Sequence, residues 1–550
     1  MTAAVALTST LAMLAACGGS RVAASDAATQ SSDTSGSTSS AAAPAAAGSG
    51  SAAAPAADTG TGAASTTTAA GSAAAPAAAA APAKAAAAAP AAAGAAVAPA
   101  AAAAVAAPAK AAAAPAAAGK GAKKAKAAAA PAAAGGGSDA ALSGAAAAIA
   151  ANVKAQPIFG GSAACKPATG SPINIGNVST LSGVLGQLFS PVVPALKTFV
   201  ASQNACGGLS GHPIKLFVED DQDDPSTAVA KVNDEIKNDH IIAFSGNIQV
   251  LTDDAIVATI KRSGIPVIGM DITNNTWFSN PLFFPQGSGP ESISYGYAYG
   301  AANYFHKKKL GNLWCIEVPQ ACTQIDTALK ELGPKLGLDT SKTIQVSLTA
   351  PSFTTACLDF KSAGTEVIAM TIDAASIVRV AKSCSQVGYT PNVVVYPLAV
   401  GNEKQFLVGD KWLGNSYVPI NTFPWMASDT PAQKYYQAMI KKYNPGFTTG
   451  DAASLGWTAG ALLVAAGTNL SANPTTQELL NNLYSFKGQD FTHLGGLTPA
   501  TLTFRPDGNP TVPYCLFAVS SDATDSKWVN WDSTARCTDL VASNDPQHRG

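Results

Sequence analysis

Aromatic side chains and histidine are missing from residues 23–150, a segment made almost wholly of alanine, proline, glycine, serine and threonine. Without large side chains it has nothing from which to build a core, so an extended or disordered chain is expected there. The repeated Ala-Pro units favour polyproline II and stiffen it. Lys84, Lys110, Lys120, Lys123, Lys124 and Lys126 make its second half mildly basic. Solvation of a spacer accounts for these lysines, with attraction to an anionic wall polymer as the alternative. A strong charge of either sign is also missing: 34 Lys and Arg against 35 Asp and Glu leave a net charge of −1. That balance gives no support for a nucleic-acid partner. Long apolar runs are lacking beyond the N-terminus, where none approaches the ~18 residues of a membrane helix.

Catalytic and metal signatures are absent as well. The histidines are His212, His240, His306, His493 and His548, and none forms an HExxH motif or a close metal-binding pair. The folded part carries neither a G-x-S-x-G elbow nor a phosphate-binding P-loop. The acidic group Asp220, Asp221, Asp223 and Asp224 lacks the glycine and distal glutamate of an EF-hand, and helix capping explains Asp224 better. No enzyme activity, metal or cofactor is therefore expected.

What is present begins at the N-terminus. An apolar run from Ala3 leads into Leu14-Ala15-Ala16-Cys17. Small residues before a cysteine resemble a lipobox, and a run this short suits a signal peptide rather than a span. The usual preceding Lys or Arg is missing. Residues 1–17 are thus expected to be a lipoprotein signal with Cys17 as the lipidation site, placing the protein on the outer face of the cell membrane, held by its lipid alone.

Removing Cys17 from the nine cysteines leaves an even number, as disulfides in an exported chain require. None stands at CxxC spacing. The simplest connectivity joins sequence neighbours: Cys165–Cys206, Cys315–Cys322, Cys357–Cys384 and Cys515–Cys537.

Residues 158–540 are too many for one comfortable core, so two lobes are expected. Strands and helices alternate. Strands are expected at 173–178, 214–218, 241–245 and 266–270, with helices at 188–203, 226–238 and 253–263. A second series follows, with helices at 292–306, 323–336, 354–362 and 376–387. Its strands fall at 312–317, 343–347, 366–371 and 392–395, and an apolar helix spans 452–466. Such alternation implies parallel sheets covered by helices on both faces, with a ligand outside the carboxyl ends of the strands.

Residues 204–226 compress one such step. Gly207 and Gly208 can end a helix in the left-handed conformation, a β-rich run follows from Ile214, and Asp224 caps a helix that Pro225 opens. The wording Asn204-Ala205-Cys206-Gly207-Gly208-Leu209-Ser210-Gly211 through Asp224-Pro225 resembles the type I periplasmic solute-binding proteins of the leucine/isoleucine/valine-binding family. Residues 180–186, Gly264-Ile265-Pro266-Val267-Ile268, Gln386-Val387-Gly388-Tyr389-Thr390-Pro391 and residues 502–508 resemble further segments of that family, in order.

The resemblance implies two doubly wound α/β lobes joined by a hinge of three crossings. On it, lobe 1 comprises 158–290 plus 419–494, and lobe 2 comprises 291–418 plus 495–540. Residues 18–157 are a linker and 541–550 a flexible tail. It further implies a monomeric receptor that closes on a small polar metabolite, amino-acid-like or related, and delivers it to the permease subunits of an ABC importer. A transporter-independent ligand sensor or envelope interaction protein is the alternative. Loop positions after the strands nominate Ser182, Gly183, Asn247, Gln249, Thr273, Asn274 and Trp277 from the first lobe as ligand-binding residues. Gln320, Asp373 and Ser376 are nominated from the second, and Trp425 from a hinge crossing. The amino-acid pattern is departed from in two places. Residues 247–250 lack the serine pair, and Pro397-Leu398-Ala399 lacks the acid that would hold an ammonium group.

Replacing Cys17 with serine is expected to move the protein from the membrane fraction to the soluble fraction. Unchanged retention after fractionation would refute anchoring through that thiol.

Overall fold

The computed structural model describes residues 139–183, 185–400, 412–522 and 527–548. Cys17 and the Pro-rich part of the linker lie outside them. The first lobe holds a wholly parallel sheet in the order β3-β1-β5-β6-β7. Its strands are β1 (Ile173–Gly176), β3 (Ile214–Leu216), β5 (Ala243–Asn247), β6 (Val267–Met270) and β7 (Phe283–Phe284). A small parallel pair, β2 (Val178–Ser179) and β4 (Glu219–Asp220), extends beside it.

Local chemistry sets the turns. Gly207 and Gly208, at φ +105° and +59°, end helix α3 (Val192–Asn204) as their sequence suggests. The Asn204 side chain then accepts from Ile214 N at 2.7 Å and donates to Ile214 O at 2.9 Å, pinning the start of β3. Asp224 accepts from Thr227 N at 2.7 Å and caps α4 (Pro225–Lys237). The helix expected over 188–203 is split: α2 (Gly186–Phe189) precedes α3, with Pro191 between them. Proline cannot donate the backbone bond that a continuous helix needs at that point.

The second lobe is a seven-stranded sheet in the order β14-β13-β12-β11-β10-β8-β9. Strands β8 (Leu310–Cys315), β9 (Thr343–Val346), β10 (Val367–Thr371), β11 (Asn392–Val395) and β12 (Ser416–Ile420) pair in parallel. Strand β13 (Tyr514–Asp522) joins β12 antiparallel, and β14 (Lys527–Thr538) folds back on β13. Helices α5 (Asp253–Ser263), α6 (Pro290–Tyr299), α7 (Pro319–Lys335), α8 (Thr354–Ser362) and α9 (Ala374–Gln386) complete the alternation. The expected strand at 312–317 begins and ends two residues earlier, because Glu317 turns away to accept from Ser347 Oγ and Leu348 N. The four neighbouring disulfides form as paired above. Cys515 and Cys537 face each other across β13 and β14, and Cys357 and Cys384 join α8 to α9.

The chain crosses between lobes three times: after β7, after β12 and before β13. Between the last two crossings it returns to lobe 1 as helices Pro431–Tyr443, Asp451–Ala466 and Thr476–Leu483. Asp451–Ala466 is buried along its whole length, as a helix apolar on every face must be. Its Trp457 meets Phe199 and Tyr436 edge-on, each at 5.1 Å. A Cβ on Gly269 of β6 would lie 2.6 Å from the Cα of Ala459, so only glycine allows helix and strand this close. No helix among the described residues is long and apolar enough to cross a membrane.

Three expected boundaries change. The linker does not run to residue 157: helix α1 (Asp139–Ala155) replaces its end. Alanine is the best helix former, and past the last proline Ala146, Ile149 and Val153 fall on one face and are buried. Asn152 Nδ2 also donates to Thr468 Oγ1 at 2.6 Å. Lobe 2 does not resume at 495, because Phe504 packs edge-on against Phe284 at 5.1 Å and beside Phe486, leaving 495–512 with lobe 1. Residues 541–548 are not a loose tail: Asp545 is buried and accepts from Tyr514 Oη at 2.6 Å, and Gln547 Oε1 accepts from Val512 N.

Removing residues 23–138 is expected to leave the melting temperature unchanged. Extending the deletion through Ala155 should lower it by several degrees, since Ile149 (1% exposed) and Val153 (3%) are worth ~1.5–3 kcal/mol each when buried. Equal melts for the two truncations would show that α1 adds nothing to the lobe.

Candidate functional site

A narrow cavity of about 40 Å³ lies between the lobes. From lobe 1 come Leu185, Leu188 and Phe189 at α2, Val250 after β5 and Thr273 after β6. From lobe 2 come the Cys315–Cys322 bridge and Ile325 around α7, Leu348 after β9, and Thr371, Ile372 and Asp373 at the end of β10. Tyr396, just after β11, closes one end. Every wall is therefore built on the carboxyl ends of parallel strands or the helix starts that follow them, where open α/β sheets place their ligands.

The loop after β6 is positioned by its own side chains. Asp271 Oδ1 accepts from the Thr273 backbone N at 3.2 Å and from its hydroxyl. Asn274 Oδ1 accepts from Thr276 N at 3.0 Å, while its amide donates to Val250 O at 3.2 Å. On the opposite wall, Asp373 Oδ2 accepts from Ala375 N (3.0 Å) and Ser376 N (3.3 Å) and caps α9. The other oxygen, Oδ1, is buried with no hydrogen-bond partner.

Two of the nominated residues, Thr273 and Asp373, line the cavity. The rest are placed elsewhere. Ser182 is exposed and donates to Asp220 Oδ2 at 2.6 Å. At Gly183, φ +82°, a Cβ would meet Asp223 Oδ2 at 2.5 Å. Asn247 and Gln249 are buried and bonded to each other at 3.2 Å, within a network that includes Asp221 and Thr252. Asn274 caps the turn Asn275–Phe278, bonds to Val250 O and is not in the cavity wall. Trp277 is fully buried, donates to Asp253 Oδ2 and packs on Phe283. Gln320 sits in the first turn of α7 off the cavity wall, with its Oε1 unpartnered. Ser376 Oγ donates to Leu348 O and accepts from Arg379. Trp425 is buried against Trp528.

Sequence reasoning overlooked the apolar wall. Leu185, Phe189, Val250, Ile372 and Tyr396 occupy the same post-strand loops as the nominated polar residues. The short Cys315–Cys322 spacing beside a strand was the signal that could have drawn attention to the α7 side.

Behind Thr273 and Tyr396 a smaller cavity of about 10 Å³ reaches the crossings, with Ile293, Asn421 and Asp451 in its wall. Burial pushes the Asp451 carboxyl up to about 7. Its place in the first turn of a helix favours the anion, but with Oδ1 unpartnered the desolvation wins. Burial also raises Asp253 and Asp271, whose mutual repulsion pushes Asp253 well above the carboxylate range. The Tyr396 phenol is raised by burial, then by Tyr297, Asp271 and Asp451 beside it.

A family model described as periplasmic binding protein matches residues 172–524. The chain belongs to that family. Among solved structures, it is similar to an extracellular ligand-binding receptor from Verminephrobacter eiseniae at 15% identity, with a TM-score of 0.57 over 65% of this chain and 100% of that one. A branched-chain amino acid ABC transporter protein from Thermus thermophilus with bound valine gives 14% and 0.56 over 68% and 98%. A fatty acid ABC transporter substrate-binding protein from Thermomonospora curvata gives 17% and 0.55 over 70% and 97%. No curated protein matches. At these identities the likeness is one of fold, and the fold is the type I solute-binding fold that the sequence resembled.

The folded Asp451 holds its proton up to about pH 7, whereas the unfolded residue loses it near pH 4. The stability this group carries is therefore fully present below about pH 4 and is lost as pH rises through 7. Asp451→Asn should melt above the parent at pH 8, by on the order of a few kcal/mol at ~1.4 kcal/mol per unit, and show a much smaller difference at pH 5. A pH-independent difference in melting would contradict an ionisation at this site.

Proposed function

We propose that this protein is an extracytoplasmic solute receptor whose lobes close on a small molecule and present it to the permease subunits of an ABC importer. The carrying observation is a cavity walled by both lobes at the carboxyl ends of their strands, with Asp373 in its wall. Membership of the periplasmic binding protein family supports the same reading. The solute completes contacts in the closed form that neither lobe offers alone, so its binding shifts the population toward closure. In this reading Cys17 carries the lipid, the Ala/Pro-rich segment is the tether, and the receptor acts as a monomer without chemistry of its own.

Asp373 has two tasks here, and two substitutions separate them. Asparagine remains a good cap, so Asp373→Asn should melt near the parent, yet bind a solute more weakly by about 1.5–3 kcal/mol, the range for a hydrogen bond to a charged group. Asp373→Ala should lose that affinity and about 1 kcal/mol of stability besides. Calorimetry with a solute found by thermal-shift screening, run beside melts of the unliganded variants, measures both. Affinity unchanged in both variants would reduce Asp373 to a helix cap.

A further inference from the structure

The segment that follows β14 belongs to neither lobe alone. Residues 541–548 run from α7 of lobe 2, past the crossings, to lobe 1. On α7, Glu331 Oε2 accepts from Ser543 N at 2.8 Å and Lys335 Nζ donates to Val541 O at 3.4 Å. The Ser543 amide, and after it Lys335, bring the Glu331 carboxyl down to about 2. Asn544 Nδ2 donates to Gln324 O of the same helix at 3.4 Å and to Glu291 Oε1 at 3.3 Å. Glu291 lies in the first turn of α6, just after the first crossing, and the same oxygen accepts from Asn275 Nδ2 of lobe 1 at 2.6 Å.

Beyond Asn544 the partners change sides. Asp545 Oδ2 accepts from Tyr514 Oη, where the third crossing enters β13. Burial, and then the charges of Asp545 and Glu291, raise the Tyr514 phenol, so it remains a donor. Pro546 O accepts from Asn509 Nδ2 at 3.2 Å and Gln547 Oε1 accepts from Val512 N at 2.5 Å. Residues 546–548 also lie against the turn Asn275–Phe278. The Thr503–Thr511 pairing and the bond from Phe504 N to Phe486 O tie this stretch to lobe 1.

The three crossings are therefore not the only link between the lobes. Hinge residues absorb a rotation through their backbone angles, whereas packed contacts on either side hold or let go. A segment bonded to both lobes must release one of them when they turn apart. We propose that residues 541–548 are a latch across the hinge, holding the lobes in the arrangement with the narrow cavity and letting go of one lobe when they part. The latch sets the fraction of unliganded molecules that stand open, and through it the apparent affinity for any solute. It goes beyond the receptor reading, since it concerns the motion of the lobes and not what they bind.

Distances between two spin labels test it on the full chain, with no solute needed. Unnatural amino acids in place of Gln222 and Thr349, exposed on the post-strand loops of lobe 1 and lobe 2, carry the labels and spare the disulfides. Glu331→Ala combined with Lys335→Ala undoes the lobe 2 end of the segment, and Asn509→Ala weakens the lobe 1 end. Each is expected to shift the distribution toward longer distances while melting stays near that of the parent. The ratio of open to closed molecules should rise at least about fivefold, the lower end of ordinary coupling between two states. Ending the chain at Leu540 should open it furthest. Asp359→Ala, which breaks an ion pair with Lys342 inside lobe 2, should change nothing. Variants that keep a parent distribution containing both distances overturn the latch and leave the receptor reading standing. One narrow distance in the parent and in every variant removes both, since lobes that never part cannot close on anything. Opening that appears only where melting also falls makes the segment part of the core, and overturns the latch as well.

Discussion

A helix with no wet face, Asp451–Ala466, makes the two halves of this chain depend on each other. It lies in the core of lobe 1, against α3 and the strands β5 and β6, yet it is reached only after the chain has built most of lobe 2. Without it the first sheet would expose one apolar face; without the crossings it could not arrive there. Gly269, Gly456 and Gly460 mark how closely it is seated, since a Cβ at each would press on Ala459, the Val192 carbonyl or the Phe199 ring. Neither lobe is a contiguous piece of sequence, and the crossings this requires are the segments about which two lobes can turn.

The same arrangement determines where polar chemistry goes. In lobe 1 the loops that end β2, β4, β5 and β6 carry many hydroxyl, amide and carboxyl groups, and most of these bind one another. Asp220 holds Ser182, Asp221 holds Thr180 and Thr252, and Asp271 holds Thr273. Asp253 accepts from the Trp277 indole. The rim is stiffened from within, so that what faces the cleft is left to leucine, phenylalanine and valine. A stiff rim concentrates any motion in the crossings.

This explains how much could be read before the structure. Alternation of short β-rich runs with amphipathic helices located β1, β3, β5, β6 and β8 to β11 with the helices between them, while β12, β13, β14 and the helices Pro431–Tyr443 and Thr476–Leu483 were not named. The elements at 253–263, 354–362 and 392–395 were bounded to the residue. Those signals are local: a capping aspartate at 224, a glycine at 264 with φ +71° that ends α5. The linker boundary was misjudged because Ala-rich composition means different things with and without proline. Before residue 132 the prolines recur, while after it Ile149 and Val153 have a surface to cover. The site was less legible for a related reason. A polar side chain after a strand can face the cleft or its own loop, and the residue type does not say which. Asn247, Gln249 and Asn274 chose the loop; Thr273 and Asp373 line the cavity while also holding a turn or a helix start.

Asp373 shows what decides the matter. A carboxylate has two oxygens, and the first turn of α9 occupies only one of them. Capping alone would be served as well by serine or threonine, whose single oxygen leaves nothing over. The second oxygen, buried without a partner, costs the fold unless something completes it. Asp451 meets the same difficulty by keeping its proton to about pH 7, and Asp253 and Asp271 by rising together. Asp373 has two amide donors on one oxygen and none on the other. An acceptor left bare in this way costs the fold, and that is the kind of cost a receptor's binding site carries until a donor arrives from outside the chain.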